Sequence, residues 1–402
     1  MSRIASVLLP LPLPEAFDYA EPEGMALAVG DQVAAPLGPN LLRGVVVALR
    51  EAAGGNRPLK PVQARLEEAA LPQTTLEFVQ WAARYAVDAP GQPLAIALRG
   101  ARAPKAKPQR VLELTGQAPA RLTPARARVL ATASTGAASA AALARLAGVS
   151  AGVVKALLEE GALAIRLEAP DPAFDAPDAA RKGAALNASQ AAAADELESL
   201  ARAGGFQVAL LDGVTGSGKT EVYLEAAAAA LAADPEAQVL ILLPEIALTQ
   251  AVIDRVAARF GAAPAEWHSD VAPPARRRVW EGVISGGCRI VVGARSALFL
   301  PFRKLKLIVV DEEHDASFKQ EEGFIYHARD LAVARGKIED AAVVLASATP
   351  SLETLRNAEQ GRYRWLRLSS RHGEARLPDI TLIDLRETPP DPGRWLSPPL
   401  VR

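Results

Sequence analysis

Residues 213–220 read Gly-Val-Thr-Gly-Ser-Gly-Lys-Thr and match the phosphate-binding pattern G-x-x-x-x-G-K-[ST]. Glycines in this pattern let backbone N–H groups close around nucleotide phosphates. We expect Lys219 to reach the β- and γ-phosphates and the Thr220 hydroxyl to bind Mg²⁺. The flanking sequence fits, because an apolar, strand-like run at 206–211 precedes the loop and a helix-forming run at 220–232 follows it. ATP and Mg²⁺ are therefore the predicted cofactors, contacted by Gly213, Val214, Thr215, Gly216, Ser217, Gly218, Lys219 and Thr220.

An acidic tetrad, Asp311-Glu312-Glu313-His314, directly follows the apolar run 307–310. A carboxylate at the C-terminal end of a parallel strand faces the crevice where ligands bind. We expect Asp311 to hold Mg²⁺ through water, and Glu312 to orient and deprotonate an attacking water. An acidic tetrad alone is typical of a solvated turn, so this interpretation depends on the strand before it and on the phosphate loop upstream.

Three further groups of polar residues complete the pattern around the predicted sheet. Ser347 and Thr349 follow the apolar run 343–346, where their hydroxyls could link the γ-phosphate to a DNA groove. Glu245 and Thr249 follow the apolar run 239–243, and we expect both at a nucleic-acid contact. Gln190 lies upstream of the phosphate loop and is a further candidate for nucleotide binding. Each group alone is ordinary loop material, and the order of all three along the chain carries the argument.

Composition limits the classes of protein that fit. The chain has 402 residues, a formal net charge of −1 and one cysteine. Its length allows two or three domains, and a nucleic-acid partner cannot be argued from the global charge. One cysteine excludes a disulfide framework and a Cys-rich zinc site within this sequence. No signal-peptide pattern and no apolar run long enough for a membrane span is present, so a cytoplasmic location without membrane contact is the default expectation.

Changes in composition and in the pattern of apolar residues along the chain predict a multidomain organisation. Short apolar runs with Pro and Gly predict a β-rich first domain, and alternating strand and helix patterns from about residue 185 predict a parallel sheet covered by helices. The expected units are a β-rich domain at 1–100, a basic linker at 101–118, a winged helix at 119–168, a linker at 169–184, an α/β lobe at 185–370 and a connecting segment at 371–402.

Three features of this organisation leave alternatives open. The cations of the stretch 99–110 fit either a solvated linker or a nucleic-acid contact. The helix–turn–helix pattern at 140–160 fits either DNA binding or a packing module, since its second helix carries only Lys155. The run Arg276-Arg277-Arg278 fits a DNA contact or a solvated helix face, and we favour the solvated face.

Six segments together resemble the PriA family of superfamily 2 helicases, which act in replication restart. They are GVTGSGKTEVY, LLPEIALTQ, HSD, GARSALFLPF, DEEHDASFKQEEGFIYHARD and LASATPSLET. The N-terminal segments LPLPEAFDY, Pro36-Leu37-Gly38 and Pro58-Leu59-Lys60 are also similar. The resemblance implies an N-terminal domain that captures the 3′ end of a nascent strand at a stalled fork, then a winged helix and a RecA-like ATPase lobe.

The resemblance also implies roles for individual residues. Phe17, Asp18 and Tyr19 would form the 3′-end pocket, with Asp18 accepting a hydrogen bond from the terminal hydroxyl and the rings stacking on the last base. Gly38 would allow close backbone approach and Lys60 would neutralise a phosphate. From the residues alone, we would favour Phe17 and Tyr19 as core aromatics and Asp18 as a turn residue.

A second implied element is an aromatic-rich loop that couples single-stranded DNA to ATP hydrolysis. Phe318, Phe324 and Tyr326 would belong to it, and their basic neighbours are compatible with base stacking and phosphate contact. We expect His314 to relay between the ATP and DNA sites rather than to bind a metal, because no second His or Cys stands at ligand spacing.

The sequence departs from the family pattern, which continues into a second lobe with an arginine finger and a Cys-rich insert that binds two zinc ions. We therefore expect a partial chain that binds forks but hydrolyses ATP very slowly on its own. The leading hypothesis is an ATP-dependent 3′-to-5′ DNA helicase that starts primosome assembly. Its alternatives are a non-enzymatic fork-binding and helicase-loading scaffold, and a nucleotide-binding lobe that serves RNA or chromatin remodelling. Expected partners are branched fork DNA, single-stranded DNA, primosome and helicase-loading proteins, and single-stranded-DNA-binding protein.

Overall fold

The computed structural model of the chain describes residues 3–51, 58–104, 109–134, 139–168, 173–368 and 381–401. Lys105 and Lys107 of the basic stretch, and parts of the predicted linker at 169–184 and segment at 371–402, lie outside the described residues. The remaining elements form an antiparallel sheet, a small helical unit and a large parallel sheet with helices. This is the multidomain α and β architecture that the sequence predicts.

The first sheet contains five antiparallel strands in the order β2-β1-β4-β3-β5. Two helices follow it in the chain, and the first begins directly after Pro72. Alternate residues such as Ala5, Val7 and Tyr19 fill a core on one face of the sheet. The bounds are β1 Arg3–Leu8, β2 Phe17–Ala20, β3 Gln32–Leu37, β4 Asn40–Glu51, β5 Ala64–Arg65, α1 Gln73–Ala86 and α2 Gly91–Ala97.

The middle unit has three helices and one antiparallel strand pair. The helices and the strand Leu163–Glu168 lie where the sequence predicts a winged helix, but the partner strand Gln109–Leu114 lies within 101–118, where the sequence analysis expected a linker. Its pairing with a strand far away in the sequence leaves no local signal. Thr123 accepts a hydrogen bond from the Arg126 amide, and Ser139 caps the next helix through the Ala142 amide. Apolar residues of all five elements form a separate small core. The bounds are β6 Gln109–Leu114, α3 Pro124–Ser134, α4 Ala140–Leu146, α5 Ala151–Glu159 and β7 Leu163–Glu168.

The large sheet has seven parallel strands in the order β10-β11-β9-β12-β15-β8-β16. Its strands are β8 Val208–Gly213, β9 Gln238–Leu242, β10 Ala265–Trp267, β11 Ile290–Gly293, β12 Leu305–Asp311, β15 Ala342–Ser347 and β16 Arg364–Leu368. The two edge strands, β10 and β16, were not predicted. The first has only three residues, and the second interleaves arginines with apolar residues, so neither shows the apolar run typical of a central strand.

Helices cover both faces of this sheet. Successive residues of β12 point in opposite directions, so Ile308 and Val310 join one apolar cluster while Leu307 and Val309 join the other. The helices are α6 Ala188–Ala203, α7 Lys219–Ala233, α8 Gln250–Phe260, α9 Pro273–Ser285, α10 Ala328–Glu339 and α11 Leu352–Glu359. Smaller elements are β13 Lys319–Gln320, β14 Tyr326–His327, α12 Pro398–Val401 and short 3₁₀ turns at Glu245–Ala247, Arg295–Phe299 and Ala316–Phe318.

The N-terminal region packs directly on the parallel-sheet lobe. Phe78 of α1 contacts Phe299, with ring centroids 5.2 Å apart. The Trp280 indole on α9 donates a 2.8 Å hydrogen bond to the Ala97 carbonyl, and Gly100 leaves no room for a Cβ against the same indole. One apolar cluster therefore continues from α1 and α2 into the lobe, and the two regions share a core.

The expectation of a solvated face at residues 276–278 was wrong. Arg277 is buried and pairs with Glu68 at 3.0 Å, and it also donates to the Ala101 and Ala103 carbonyls. Arg278 lies over the ring of Phe174. These guanidinium groups stabilise contacts between distant segments, which a local count of charges cannot reveal.

Within the described residues, no helix has both the length and the apolar character needed to cross a membrane.

Candidate functional site

The phosphate loop lies between β8 and α7, as the sequence predicts. Gly216 and Gly218 have φ of 78° and 82°, in the left-handed region that favours glycine. A Cβ at 218 would collide with the Gln190 side chain, and a Cβ at 213 would crowd the Ser217 hydroxyl. The glycines are therefore required by the conformation of this loop itself.

A pocket of about 470 Å³ opens above the loop. Gln190, Lys219 and Thr220 line it together with Asp311 and Glu312, so two motifs almost 100 residues apart in the chain meet at one site. Thr215, Gly216, Ser217 and Gly218 also line the pocket. Val214 is partly exposed within the loop, and Gly213 ends β8 below it.

Lys219 is buried, and its ammonium group donates a 2.9 Å hydrogen bond to the Gly213 carbonyl. A buried cation needs such a partner because its desolvation is costly. The bond holds the ammonium group across the base of the loop. When a nucleotide binds, the ammonium group can donate to a phosphate oxygen instead of the Gly213 carbonyl oxygen.

Asp311 ends β12 at the carboxyl edge of the sheet and is buried. Burial raises the pKa of its carboxyl to about 6, and the neighbouring charge of Glu312 adds to this effect. Tyr223 donates a 2.9 Å hydrogen bond to Asp311 Oδ2, which favours the ionised form and partly opposes the shift. A buried carboxylate next to a hydroxyl and a lysine is a suitable oxygen donor for Mg²⁺.

Glu312 has a φ of 50°, which is uncommon for a residue with a side chain. Its amide donates to Asp311 Oδ1 at 3.0 Å, so the backbone turns sharply at the end of the strand. This turn leaves the Glu312 carboxylate partly exposed at the pocket wall, where it can contact water.

His314 reaches the next strand of the sheet. Its Nδ1 lies 2.7 Å from the Ser347 hydroxyl oxygen, and the Thr349 amide donates to the same oxygen at 3.0 Å. The structure therefore brings together the acidic tetrad and the Ser347–Thr349 segment, which the sequence assigned to coupling. No pair of His or Cys ligands is needed to account for the position of His314.

Glu313 was missed by the sequence analysis. It is fully buried and accepts hydrogen bonds from the Ser351 amide, the Ser351 and Thr354 hydroxyls, and Arg329. These bonds join the end of β12 to the start of α11 and to α10. The available signal was the Ser-x-x-Thr spacing after the predicted strand, but only the fold shows which carboxylate it meets.

Gln190 supports the loop from below. It forms a capping box with Asn187 at the start of α6, and its Nε2 donates to the Ser217 carbonyl at 2.8 Å. The amide oxygen thus caps α6 while the amide nitrogen holds the phosphate loop, and the side chain also lines the pocket.

Glu245 and Thr249 are exposed at the carboxyl edge of the sheet, after β9. Glu245 lines a small pocket of about 170 Å³ with Arg295 and Phe318, and this pocket is separate from the larger one. Arg295 donates to the carbonyls of Ser317 and Lys319, which links this edge to the segment after the acidic tetrad.

The expectation of stacking rings in the aromatic-rich loop conflicts with the structure. Phe318, Phe324 and Tyr326 are buried, and Phe324 and Tyr326 pack edge-on against Phe299. Their faces are occupied by the core that joins α1 to the lobe, so they present no ring to a base in this conformation. Burying these three rings removes their apolar surface from water, which stabilises the fold more than leaving them exposed would.

The rings assigned to the 3′-end pocket do not lie where the resemblance implies. Asp18 points to the outer face of the first sheet, while Tyr19 is buried on the opposite face and donates to the Pro36 carbonyl at 3.2 Å. Phe17 packs against the same core as Tyr19. The expectation that both rings flank a terminal base is therefore corrected, because alternate side chains of a strand face opposite sides.

The other two residues assigned to this pocket are accessible. Gly38 has a φ of 59° with open space around its Cα, and Lys60 is exposed. The Lys60 carbonyl accepts a hydrogen bond from the Ala20 amide, which places Lys60 beside the end of β2. Asp18, Gly38 and Lys60 keep their assignment as predictions.

Comparison with known families matches both regions of the chain. Residues 187–358 match the DEAD/DEAH box helicase family, and residues 6–99 match the PriA 3′DNA-binding domain. The first region of the chain is therefore similar to the DNA-binding domain of PriA proteins, and the parallel-sheet lobe is similar to a DEAD/DEAH box helicase domain. The acidic tetrad and the phosphate loop both lie within the helicase region, and Asp18 lies within the DNA-binding region.

Replication restart protein PriA of Rickettsia conorii is 46% identical over 192 residues, covering 48% of this chain and 29% of the relative. The Bacillus subtilis protein of the same name is 38% identical over 240 residues, covering 59% and 30%. The chain therefore matches under a third of the length of these relatives. The structure of RecG bound to a three-way DNA junction is similar at 19% identity and a TM-score of 0.37, covering 49% of this chain and 25% of that one.

Proposed function

We propose that this chain binds Mg²⁺-ATP in the large pocket and the 3′ end of DNA on its first sheet, as part of an ATP-dependent 3′-to-5′ DNA helicase that restarts replication at stalled forks. One observation carries the proposal. Lys219, Thr220, Asp311 and Glu312 line a single pocket at the carboxyl edge of the parallel sheet. That edge is where α/β folds bind ligands.

The donor groups in the pocket fit both cofactors. The loop amides and Lys219 suit a triphosphate, and the Thr220 hydroxyl with the Asp311 carboxylate offers the hard oxygen ligands that Mg²⁺ prefers. Bound there, Mg²⁺ would neutralise charge on the phosphates. Glu312 is the residue that we assign to orienting water and accepting its proton, because its carboxylate is partly exposed at the pocket wall.

Slow hydrolysis by this chain alone is part of the proposal. Among the described residues that line the pocket, the cations are Lys219 and Arg255, and Arg255 lies 3.8 Å from Glu221 at the rim. Phosphoryl transfer in this class gains about 10³–10⁵ in rate from an additional arginine. Rapid ATP turnover stimulated by DNA would contradict this part of the proposal.

Nucleotide binding is tested by titrating a fluorescent ATP analogue into the wild-type chain and Lys219→Ala. We expect affinity to fall by at least tenfold, because the lysine supplies a charge-assisted contact to phosphate. Lys337→Ala, which removes an exposed lysine from α10, is the control. Equal affinity in all three proteins would overturn the nucleotide assignment and favour the scaffold hypothesis.

Recognition of DNA is tested separately, with forks whose leading-strand end carries a 3′-hydroxyl or a 3′-phosphate. We expect the wild type to prefer the hydroxyl and Asp18→Ala to lose that preference. Lys219→Ala should leave fork affinity unchanged, since the pocket and the first sheet are separate sites. The protein partners that the resemblance implies, and the cytoplasmic location, remain predictions.

A further inference from the structure

The outer face of the first sheet carries a connected set of three polar side chains around Asp18. The Ser6 hydroxyl donates to Asp18 Oδ1 at 2.8 Å, and Arg50 pairs with Asp18 Oδ2. Arg50 Nη1 also lies 3.3 Å from the Ser6 hydroxyl oxygen, so each residue contacts the other two. The three come from three adjacent strands, with Ser6 directly opposite Asp18 in the ladder between β1 and β2.

We propose that Arg50 is a specificity-determining residue of the DNA-end site: it holds the Asp18 carboxylate for the terminal 3′-hydroxyl and contacts the phosphodiester of the terminal nucleotide. The proposal rests on the proposed binding of 3′ ends at Asp18. It adds a residue that the sequence analysis did not single out, and a source of discrimination between DNA ends.

Geometry supports this role for Arg50. Its side chain is 54% exposed, and the bonds to Asp18 and Ser6 engage only two of its five N–H groups. A planar guanidinium can therefore keep its bond to the carboxylate while another donor contacts a phosphate oxygen. Ser6, by contrast, is nearly buried and serves to fix the other carboxylate oxygen.

Stability alone gives little reason for this arrangement, because exposed ion pairs contribute little to folding. The sheet offers a matched comparison in Arg65, which is 53% exposed and pairs with Asp31 at 2.9 Å. Asp31 is buried and its carboxylate also accepts a bond from the Ala28 amide, so that pair closes a turn. Asp18 remains 35% exposed, which leaves its carboxylate accessible to a ligand.

The charges make a sharp prediction about the end group. In the wild type, Asp18 attracts a hydroxyl donor and repels a 3′-phosphate, while Arg50 is held by Asp18. In Asp18→Ala, Arg50 loses that ion pair and becomes available to a terminal phosphate. The preference should therefore invert, so that the 3′-phosphate end binds about fivefold to tenfold more tightly than the 3′-hydroxyl end.

The experiment measures binding of the full chain to labelled forks that end in a 3′-hydroxyl or a 3′-phosphate, at low and moderate salt. We expect Arg50→Ala to weaken binding of the 3′-hydroxyl fork about fivefold to tenfold and Arg65→Ala to have no effect. Arg50→Lys should recover part of the lost affinity, since lysine keeps the positive charge but lacks the planar guanidinium that can donate to two acceptors at once. Asp18→Ala/Arg50→Ala should bind both ends equally, and thermal melting of each variant verifies that it is folded.

The outcomes separate this inference from the proposed function. If the wild type does not distinguish the two ends, both the 3′-end function and the role of Arg50 are wrong. If the wild type distinguishes them and Arg50→Ala behaves like Arg65→Ala, only the role of Arg50 is wrong. An Asp18→Ala variant that does not bind the 3′-phosphate end more tightly than the 3′-hydroxyl end also overturns the inference.

Discussion

The Tyr223 hydroxyl donates a 2.9 Å hydrogen bond to Asp311, and so joins the helix after the phosphate loop to the strand that ends in the acidic tetrad. Tyr223 is fully buried within α7, one helical turn after Lys219. The bond therefore fixes the carboxylate of one motif relative to the lysine of the other, before any ligand is present.

The buried Asp311 should cost stability at neutral pH. Its pKa is raised from 3.8 to about 6, mainly by burial, so the folded chain binds this proton more tightly than the unfolded chain does. The resulting stability is present below about pH 4 and is lost as pH rises through about 6. We expect Asp311→Asn to raise the free energy of unfolding at pH 8 by about 1–3 kcal/mol and to leave it unchanged at pH 4.

Urea denaturation of the free chain at both pH values checks this prediction. Asp195→Asn, which changes an exposed carboxylate on α6, is the control and should behave as the wild type does at each pH. The same Asp311→Asn variant should lose Mg²⁺-dependent nucleotide affinity. If Asp311→Asn lowers the free energy of unfolding at pH 8, the ionised Asp311 carboxylate does not destabilise the folded chain and the prediction is wrong.

Arg277 should stabilise the contact between the N-terminal region and the lobe. Arg277→Ala removes the pair with Glu68 and two hydrogen bonds to carbonyls, and we expect a loss of about 2–4 kcal/mol. The matched control is Arg303→Ala, whose exposed pair with Glu236 should matter little. Differential scanning calorimetry should also show one unfolding transition splitting into two; equal effects of both variants would contradict the prediction.

The same contact should weaken in acid. Burial by itself raises the pKa of Glu68, but hydrogen bonds from Arg43 and Arg277 outweigh it and bring the pKa down from 4.5 to about 2. The stability from this carboxylate is present above about pH 4.5 and is lost as pH falls through about 2. We expect Glu68→Gln and the wild type to become equal in stability near pH 2, as measured by urea denaturation across the acid range.

Glu313 should be essential for holding α11 against the acidic tetrad. Glu313→Gln places an amide N–H₂ among donors, so hydrogen bonds from Ser351, Thr354 or Arg329 are lost. We expect a loss of about 2–4 kcal/mol in the free energy of unfolding. Glu353→Gln is the control, because that carboxylate is 72% exposed and only 3.8 Å from the same arginine. Chemical denaturation measures the free energy of unfolding of both variants. If Glu353→Gln loses as much stability as Glu313→Gln, the role assigned to Glu313 is wrong.

Phe324 should act as a core residue in the free chain. Phe324→Ala is expected to cost about 3–5 kcal/mol, whereas Ile325→Ala, at a residue that is 55% exposed, should be close to neutral. Thermal melting and single-stranded DNA binding are measured on both. A Phe324→Ala variant with normal stability and weakened DNA binding would restore the stacking role that the resemblance implied.

Local patterns explain why much of the nucleotide site could be predicted. The strand, the glycine loop and the start of α7 are contiguous, so Gly213 to Thr220 carry their own conformation and chemistry. The central parallel strands could also be predicted, because residues 239–242 of β9 and 307–310 of β12 are all buried and all apolar. The edge strands lacked that uniformity and were missed.

The direction in which each side chain points could not be predicted from local sequence patterns. Tyr19 and Asp18 are adjacent in sequence, yet strand alternation sends one to the core and the other to the surface. Phe324 and Tyr326 are equally suited by type to a stacking platform or to a core. Their burial depends on Phe78 and Phe299, which lie on distant elements.

The amino-acid sequence by itself determined the nucleotide-binding chemistry and the alternation of strands and helices, because both depend on residues within one turn or one strand of each other. Only the tertiary structure decided that Arg277 meets Glu68, 209 residues away, and that Asp18 shares its face with Arg50. Partners of this kind are chosen by which elements pack together. That choice is made by the burial of whole faces, and no local spacing records it.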